Sequence, residues 1–301
     1  MPTHFADRLA ALVEERRSRV VLGLDPDPQA LWPEAAEKAI GPGKPAVATA
    51  TAVQAHCEAA IRAAGSACVA VKLQLACFER LGWRGWRVVE ALVGSIRQAG
   101  LLAIADGKRG DVPVTAAAYA QSLVGETQAP GGSVPGLGVD AFTANPLLGR
   151  DALAPLIDAA ADAGAGCFVL VRTSNPGAAE IQDEPPDQPL HERLARLVDE
   201  LGAARLGECG LSCVAAVTGA TRPELLARLR ELMPRAVFLL PGVGAQGGRV
   251  EDLGAAFAPH PAAGLVTASR SIVDAHAQRG GRPADAAAAA AEELRSAAWQ
   301  L

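Results

Sequence analysis

Two acidic side chains and a lysine lie within six residues of one another, at Asp106, Lys108 and Asp111 in the run Ala105–Asp111. The run follows an apolar segment, Leu101–Ile104, of the kind that forms a buried strand. Residues two apart at an extended strand end point to the same face, so Asp106 and Lys108 are predicted to lie side by side. Carboxylates beside an ammonium are costly to remove from water unless a site uses them, which favours electrostatic or acid–base catalysis. An ion pair in a surface turn is the alternative interpretation.

The rest of the chain contains eight short apolar runs that predict strands. Segments with helical spacing separate them, such as the stripe Val88, Leu92, Val93 and Ile96. Strands that alternate with helices pair in parallel through right-handed crossovers, and eight such units in 301 residues predict an α/β fold, a single (β/α)8 TIM barrel. The predicted strands are Val20–Asp25, Cys68–Lys72, Leu101–Asp106, Val139–Thr143, Cys167–Arg172, Ser212–Thr218, Ala236–Leu240 and Leu265–Ala268.

Polar residues stand at or just beyond the carboxyl ends of several predicted strands, including Asp25, Lys72, Asp106 and Ser174. In a barrel these ends form one rim, and that rim is where active sites lie. We expect one domain over residues 1–301, with an amino-terminal helix, a long insertion after the first strand and an Ala-rich carboxyl-terminal helix.

Composition limits the partners and the compartment. The formal net charge is -5 and there is no basic stripe, which argues against nucleic acid or an anionic membrane as a partner. The six cysteines form no C-x-x-C pair and lie mostly in apolar runs, as expected for reduced thiols in a cytoplasmic protein. The five histidines have no metal-ligand spacing, so no metal is expected. Neither a signal peptide nor an uncharged apolar run of roughly eighteen residues is predicted.

A glycine-rich run, PGVGAQGG from Pro241, matches the dinucleotide fingerprint G-x-G-x-x-G with Gly242, Gly244 and Gly247. Its context is wrong for that fold, because it lies near the end of the chain, and about twenty residues later Arg270 stands where a ribose-binding acid belongs. Glycine backbone after strand seven and an arginine after strand eight instead predict a barrel phosphate site. Arg270 would bind the phosphate in a bidentate manner. The alternative is a flexible loop and a surface arginine.

Together these motifs resemble the orotidine 5'-phosphate decarboxylase family. The resemblance rests on D-x-K-x-x-D, on Lys72 in Val69–Lys72 and on PGVGAQGG, while Gly23–Asp27 and Val171–Gly177 resemble the longer bacterial subgroup, type 2. The correspondence runs from about Val20 to Ile272. It implies cofactor-free removal of CO2 from orotidine 5'-phosphate to give uridine 5'-phosphate, in UMP biosynthesis, by a homodimer.

The resemblance also implies roles for individual residues. Lys72, Asp106, Lys108 and Asp111 would form an alternating charge network, with Lys108 as the proton donor and Asp111 reaching into the partner subunit's site. The implied substrate-binding residues are Asp25 for the ribose hydroxyls, Val112 and Thr115 across the dimer interface and Ser174 for the pyrimidine. Gln246, Arg270 and the Gly242–Gly248 backbone, with Gly242 and Gly247, would bind the phosphate, and Pro241 and Ser269 are further implied substrate contacts.

Two alternatives stay open at this point. A metal-dependent sugar-phosphate decarboxylase shares D-x-K-x-x-D and would need a divalent ion with carboxylate ligands. A catalytically silent nucleotide-binding barrel would bind uridine 5'-phosphate without turnover. The sequence departs from shorter family members in the Asp27–Ser66 insertion and in the Pro130–Gly138 and Pro185–Pro189 loops, so the lid and base recognition are left open, as is any role for Asn145.

Overall fold

Eight parallel strands close into a barrel in the computed structural model, which describes residues 3–40, 44–244 and 246–301. Most of the strand residues are apolar and buried, as expected of strands that are covered on both faces. The strands are β1 Val20–Leu24, β2 Ala70–Gln74, β3 Leu102–Arg109, β6 Ala141–Ala144, β7 Gly166–Arg172, β8 Val214–Thr218, β9 Phe238–Pro241 and β10 Gly264–Ala268. They pair in the order β1-β2-β3-β6-β7-β8-β9-β10, and β10 pairs with β1. The predicted TIM barrel is confirmed.

The sequence analysis did not predict an antiparallel hairpin, which joins β4 Glu126–Ala129 to β5 Gly132–Pro135 outside the barrel. Its four-residue strands are fully exposed, so they lack the buried apolar residues on which strand prediction depends. The tight turn between them is followed by Gly132, the first residue of β5, whose φ of 119° favours glycine.

Helices cover the outside of the barrel. The predicted stripe Val88, Leu92, Val93 and Ile96 is buried on one of them, and the predicted Ala-rich run from Ala286 to Ala291 lies in the last. The helices are α1 Phe5–Arg16, α2 Pro33–Ala36, α3 Pro45–Ala64, α4 Leu75–Glu79, α5 Trp83–Gln98, α6 Pro113–Leu123, α7 Arg150–Asp162, α8 Ala179–Gln182, α9 Leu190–Gly202, α10 Leu226–Leu232, α11 Arg270–Val273, α12 His276–Arg279 and α13 Pro283–Trp299. In the Asp27–Ser66 insertion, residues 41–43 lie outside the described residues.

The amino-terminal helix packs at the amino-terminal end of the barrel. Phe5 of α1 makes an edge-to-face contact with Phe168 of β7, with ring centroids 5.9 Å apart. A Cβ at Gly166 would lie 2.6 Å from the Phe5 ring, so this close approach requires glycine. The helix therefore covers one end of the barrel and leaves the carboxyl ends of the strands available for a site.

Candidate active site

A cleft of about 340 Å³ opens at the carboxyl ends of the barrel strands. It is lined by side chains from the ends of most of the strands, so residues far apart in sequence meet there. Of the predicted site residues, the structure brings together Asp25, Lys72, Asp106, Lys108, Ser174, Pro241, Gly242, Gln246, Ser269 and Arg270 in its lining. Asp111, Val112, Thr115 and Gly247 are not part of that lining.

The Asp106 carboxylate lies between two ammonium groups. Nζ of Lys72 is 2.7 Å from Oδ2 of Asp106, and Nζ of Lys108 is 2.7 Å from Oδ1. The side chains of Lys72 and Asp106 are only 7% and 8% exposed, whereas that of Lys108 is 42% exposed. Lys108 is therefore the cation of this cluster that a molecule in the cleft can reach.

The protonation states in this cluster follow from burial and charge. Burial would raise the pKa of Asp106, but the ammonium groups of Lys72 and Lys108 outweigh it and lower the pKa to about 2. Burial would likewise lower the pKa of Lys72, yet the negative charges of Asp106 and Asp25 raise the pKa above its ordinary value. At neutral pH, Asp106 is thus a carboxylate and Lys72 an ammonium.

A bulge in β3 sets the directions of Asp106 and Lys108. Ala105 pairs with Phe142 of β6, but the next pair is Arg109 with Ala144, so β3 advances four residues while β6 advances two. Lys108 has a φ of 48°, in the left-handed region. The predicted contact of the two side chains is present, but the prediction of a plain extended strand end was wrong: the bulge aims both side chains into the cleft.

Thr143 of β6 lies opposite the bulge and was missed by the sequence analysis. Its hydroxyl donates to Oδ1 of Asp106 over 2.9 Å and accepts from the backbone N–H of Lys108 over 2.8 Å. The sequence did show that Thr143 ends a predicted strand, but not that the neighbouring strand bulges. A threonine there is otherwise an ordinary β-branched strand residue.

Other lining residues were also missed. Gln74 follows Lys72 by two positions on the same strand face, and its Oε1 is 3.5 Å from the Lys72 Nζ. The spacing of two residues from Lys72 could have predicted that Gln74 also lies in the site. Val217 of β8 and Leu239 of β9 add apolar side chains to the cleft lining. The remaining missed lining residues are Thr173, Asn175, Val243, Thr267 and Ser271.

Comparison with known proteins decides the family. The family model for orotidine 5'-phosphate decarboxylase / HUMPS matches residues 18–281. The chain belongs to this family. It is 40% identical to the orotidine 5'-phosphate decarboxylase of Rhodopirellula baltica over 276 residues, covering 90% of this chain and 89% of that protein. It is 43% identical to the Deinococcus radiodurans enzyme of the same name over 227 residues, covering 75% and 79%.

Solved structures agree with this assignment. The structure of Leishmania donovani OMP decarboxylase superimposes with a TM-score of 0.72 at 28% sequence identity, covering 98% of this chain and 99% of that one. The activity of this chain is therefore orotidine 5'-phosphate decarboxylation, a carboxy-lyase reaction of pyrimidine biosynthesis.

Within the orotidine 5'-phosphate decarboxylase barrel, Asp25 and Arg270 follow the neighbouring strands β1 and β10, and both line the cleft. The close approach of their strands depends on Gly23, because a Cβ there would lie 2.0 Å from the Ser269 Oγ. Arg270 begins α11, is exposed to the cleft, and has no ion-pair partner among the described residues. Its guanidinium is thus available to an anion.

The glycine loop after β9 differs from the sequence-based expectation in one respect. The amides of Gly244, Gly247 and Gly248 donate to carbonyls of the same loop, at 2.9, 2.8 and 3.0 Å. These three amides shape the turn rather than face the cleft, so the expectation that the whole Gly242–Gly248 backbone meets a phosphate is not supported. Ala245 of this loop lies outside the described residues.

The segment after β7 is held in place at both ends. Arg172, at the end of β7, binds both carboxylate oxygens of Asp183, at 2.8 and 3.0 Å. The Gln182 side chain accepts from the Thr173 N–H at 2.8 Å. These bonds fix the start of the segment, so Ser174 lies at the cleft between two anchored points.

Asp111, Val112 and Thr115 lie at the start of α6, outside the chain's own cleft. Val112 is 54% exposed and Val114 is 85% exposed. Both valines are therefore accessible at the surface of the single chain.

In residues 3–40, 44–244 and 246–301, no three His, Cys, Asp or Glu side chains come together as a metal site. No helix in these ranges combines the length and apolar character needed to cross a bilayer. All six cysteines are free.

Proposed function

We propose that Lys108 is the proton donor of the decarboxylation and that Asp106 and Lys72 set the electrostatics of the reacting carbon. The observation that carries this proposal is the Asp106 carboxylate held at 2.7 Å from two lysines, of which Lys108 faces the cleft. The orotate ring would then lie in the part of the cleft beside Lys72, Asp106 and Lys108.

The chemistry explains why a cation is needed there. When the bond between C6 and the carboxylate carbon breaks, CO2 leaves and the electron pair stays on C6 in the plane of the ring. The Lys108 ammonium stabilises that developing charge and then transfers its proton to C6. The neutral amine regains a proton from water, so atoms and charge balance over the cycle.

Asp106 and Lys72 have complementary tasks in this proposal. Asp106 lies near the departing carboxylate, and the repulsion between the two raises the free energy of the bound substrate more than that of the transition state. Lys72, which is buried, keeps Asp106 ionised and fixes its position. Because the charges are placed beforehand, little reorganisation is needed during the reaction.

The rest of the nucleotide would occupy the other walls of the cleft. We assign the phosphate to Arg270 and the Gln246 side chain, the ribose hydroxyls to Asp25 and the pyrimidine to Ser174. Phosphate binding far from the breaking bond supplies free energy that is realised in the transition state when the site closes. Cytoplasmic location and membership of the longer subgroup stay predictions.

We expect orotidine 5'-phosphate to be turned over in the presence of EDTA, since lysine and carboxylate groups supply the chemistry above. The ultraviolet band of the substrate is followed as uridine 5'-phosphate forms, with and without the chelator. Equal rates support a reaction without a metal. If EDTA abolished turnover and a divalent ion restored it, the proposed mechanism would be contradicted and the metal-dependent alternative would be favoured.

We also propose a homodimer in which Asp111, Val112 and Thr115 complete the partner subunit's site. At the start of α6, away from the chain's own cleft, Val112 and Thr115 are exposed and Asp111 is half-buried, which supports this arrangement. The alternating charge network would then span two subunits.

The shared site predicts complementation between two inactive variants. Co-expressed Lys108→Ala and Asp111→Ala chains form hybrids with one intact site, because each chain supplies the residue that the other lacks. With random pairing, about a quarter of all sites are intact, so about a quarter of the wild-type rate is expected. Co-expressed Lys108→Ala and Lys72→Ala chains are the matched control, since both residues belong to one subunit's site. If the Lys108→Ala and Asp111→Ala pair recovered no activity, Asp111 would belong to the active site of its own subunit.

A further inference from the structure

The hydroxyl of Thr143 connects the Asp106 side chain to the Lys108 backbone. It donates to Oδ1 of Asp106 over 2.9 Å and accepts from the Lys108 N–H over 2.8 Å. Thr143 is 1% exposed, so water does not compete for either bond. The same Oδ1 also binds the Lys108 Nζ at 2.7 Å. Lys108 is thus held at both its backbone and its ammonium.

The bulge in β3 explains why a hydroxyl is needed at this position. Between the pairs Ala105–Phe142 and Arg109–Ala144, the register shift takes the Lys108 N–H out of the regular ladder of β6. A buried N–H without an acceptor is strongly unfavourable, and the Thr143 hydroxyl supplies the acceptor. A valine of the same shape would leave that N–H unpaired.

The direction of the two hydrogen bonds is fixed by chemistry. The ionised Asp106 can only accept, and the Lys108 N–H can only donate. The single proton of the Thr143 hydroxyl must therefore point to Asp106, while its lone pair faces Lys108. The hydroxyl has one favourable orientation, so it holds both groups without a competing arrangement.

We propose that Thr143 is a positioning residue of the decarboxylation, whose hydroxyl holds the Lys108 backbone in its left-handed conformation and the Asp106 carboxylate at its angle to the cleft. Lys108 has a long flexible side chain, so the point from which its ammonium reaches C6 depends on where its backbone is held. The φ of 48° at Lys108 is a conformation that persists only when the surroundings impose it. This inference rests on the proposed role of Lys108 as proton donor.

The test compares Thr143→Val, which removes the hydroxyl at constant shape, with Thr143→Ser, which keeps it. Displacement of a catalytic group by about 1 Å can cost about 10²-fold, so we expect kcat of Thr143→Val to fall by about 10²-fold. KM and the Kd for uridine 5'-phosphate should stay within about threefold of wild type, because Thr143 acts on the reacting groups and not on the phosphate or ribose. Thr143→Ser should recover most of kcat.

A second readout isolates Lys108. Exchange of the C6 hydrogen of uridine 5'-phosphate with solvent deuterium moves a proton at C6 without breaking a bond to CO2. It should slow in Thr143→Val in parallel with kcat. Thr218→Val is the matched control: this threonine of β8 is also buried, its hydroxyl has no hydrogen-bond partner in the described part of the chain, and wild-type rates are expected.

Each result decides the proposal. A wild-type kcat in Thr143→Val, an effect on KM alone, or an equal loss in the Ser variant overturns it. If the Val variant does not bind uridine 5'-phosphate, Thr143→Ala carries the same test with a smaller side chain. Lys108→Ala is measured alongside. Turnover in that variant contradicts the assignment of Lys108 as proton donor. An inactive Lys108→Ala together with a fully active Thr143→Val contradicts only the positioning role of Thr143.

Discussion

Lys108→Ala should abolish detectable decarboxylation while uridine 5'-phosphate still binds. In the proposed mechanism the substitution removes both the cation beside C6 and the proton that C6 receives, and these two contributions together are worth at least about 10⁴-fold in rate. Binding of the product should persist because the contacts assigned to phosphate and ribose are made by other residues, among them Arg270 and Asp25. Single-turnover absorbance and calorimetric titration with uridine 5'-phosphate measure the two quantities.

Two further variants sharpen this experiment. Lys108→Arg keeps the positive charge but replaces the ammonium by a guanidinium that does not release its proton near neutral pH, so the part of the rate due to charge alone can be separated. Lys38→Ala is the matched control, since Lys38 is an exposed lysine distant in sequence and outside the cleft lining. If Lys108→Ala kept more than about a tenth of the wild-type rate, about 1.4 kcal/mol, its assignment as proton donor would be wrong.

The barrel could be predicted from the sequence because each strand carries its own signal. Runs such as Cys167–Arg172 are apolar and short, and the helical stripes between them have the period of a covered face. The polar residues at the strand ends then converge by topology alone, since parallel strands of a barrel share one rim. This is why Asp25, Lys72 and Ser174 reach one cleft although long segments separate them.

Features that depend on pairing between strands could not be predicted in this way. The bulge at Lys108 is a property of β3 against β6: Gly107 permits a bulge in β3, but the size of the register shift is set only by the pairing of the two strands. Thr143 acquires its hydrogen bonds only from that shift. The internal hydrogen bonds of the glycine loop could not be predicted for a different reason: glycine composition shows where a backbone can turn, but not which amides form hydrogen bonds within the turn.

Arg270→Ala is expected to lower kcat/KM for orotidine 5'-phosphate by about 10²–10³-fold. Three of the loop amides are already bonded within the glycine loop, so we expect the Arg270 guanidinium to contribute more to phosphate binding than the sequence pattern suggested. Arg270 has no ion pair among the residues described here, so its full charge is available to a dianion. Loss of a bidentate, charge-assisted contact to substrate has this order of effect.

The phosphate-free nucleoside orotidine shows whether the effect belongs to the phosphate. Wild type and Arg270→Ala should turn over orotidine at the same low rate, because the contact removed by the substitution has no partner in that substrate. Arg249→Ala serves as the control for a general loss of positive charge, since Arg249 is exposed just after the glycine loop and pairs with Glu251 at 3.6 Å. An equal loss on orotidine and on its phosphate would assign Arg270 to the integrity of the cleft instead, and an unchanged kcat/KM on the nucleotide would remove it from the phosphate site.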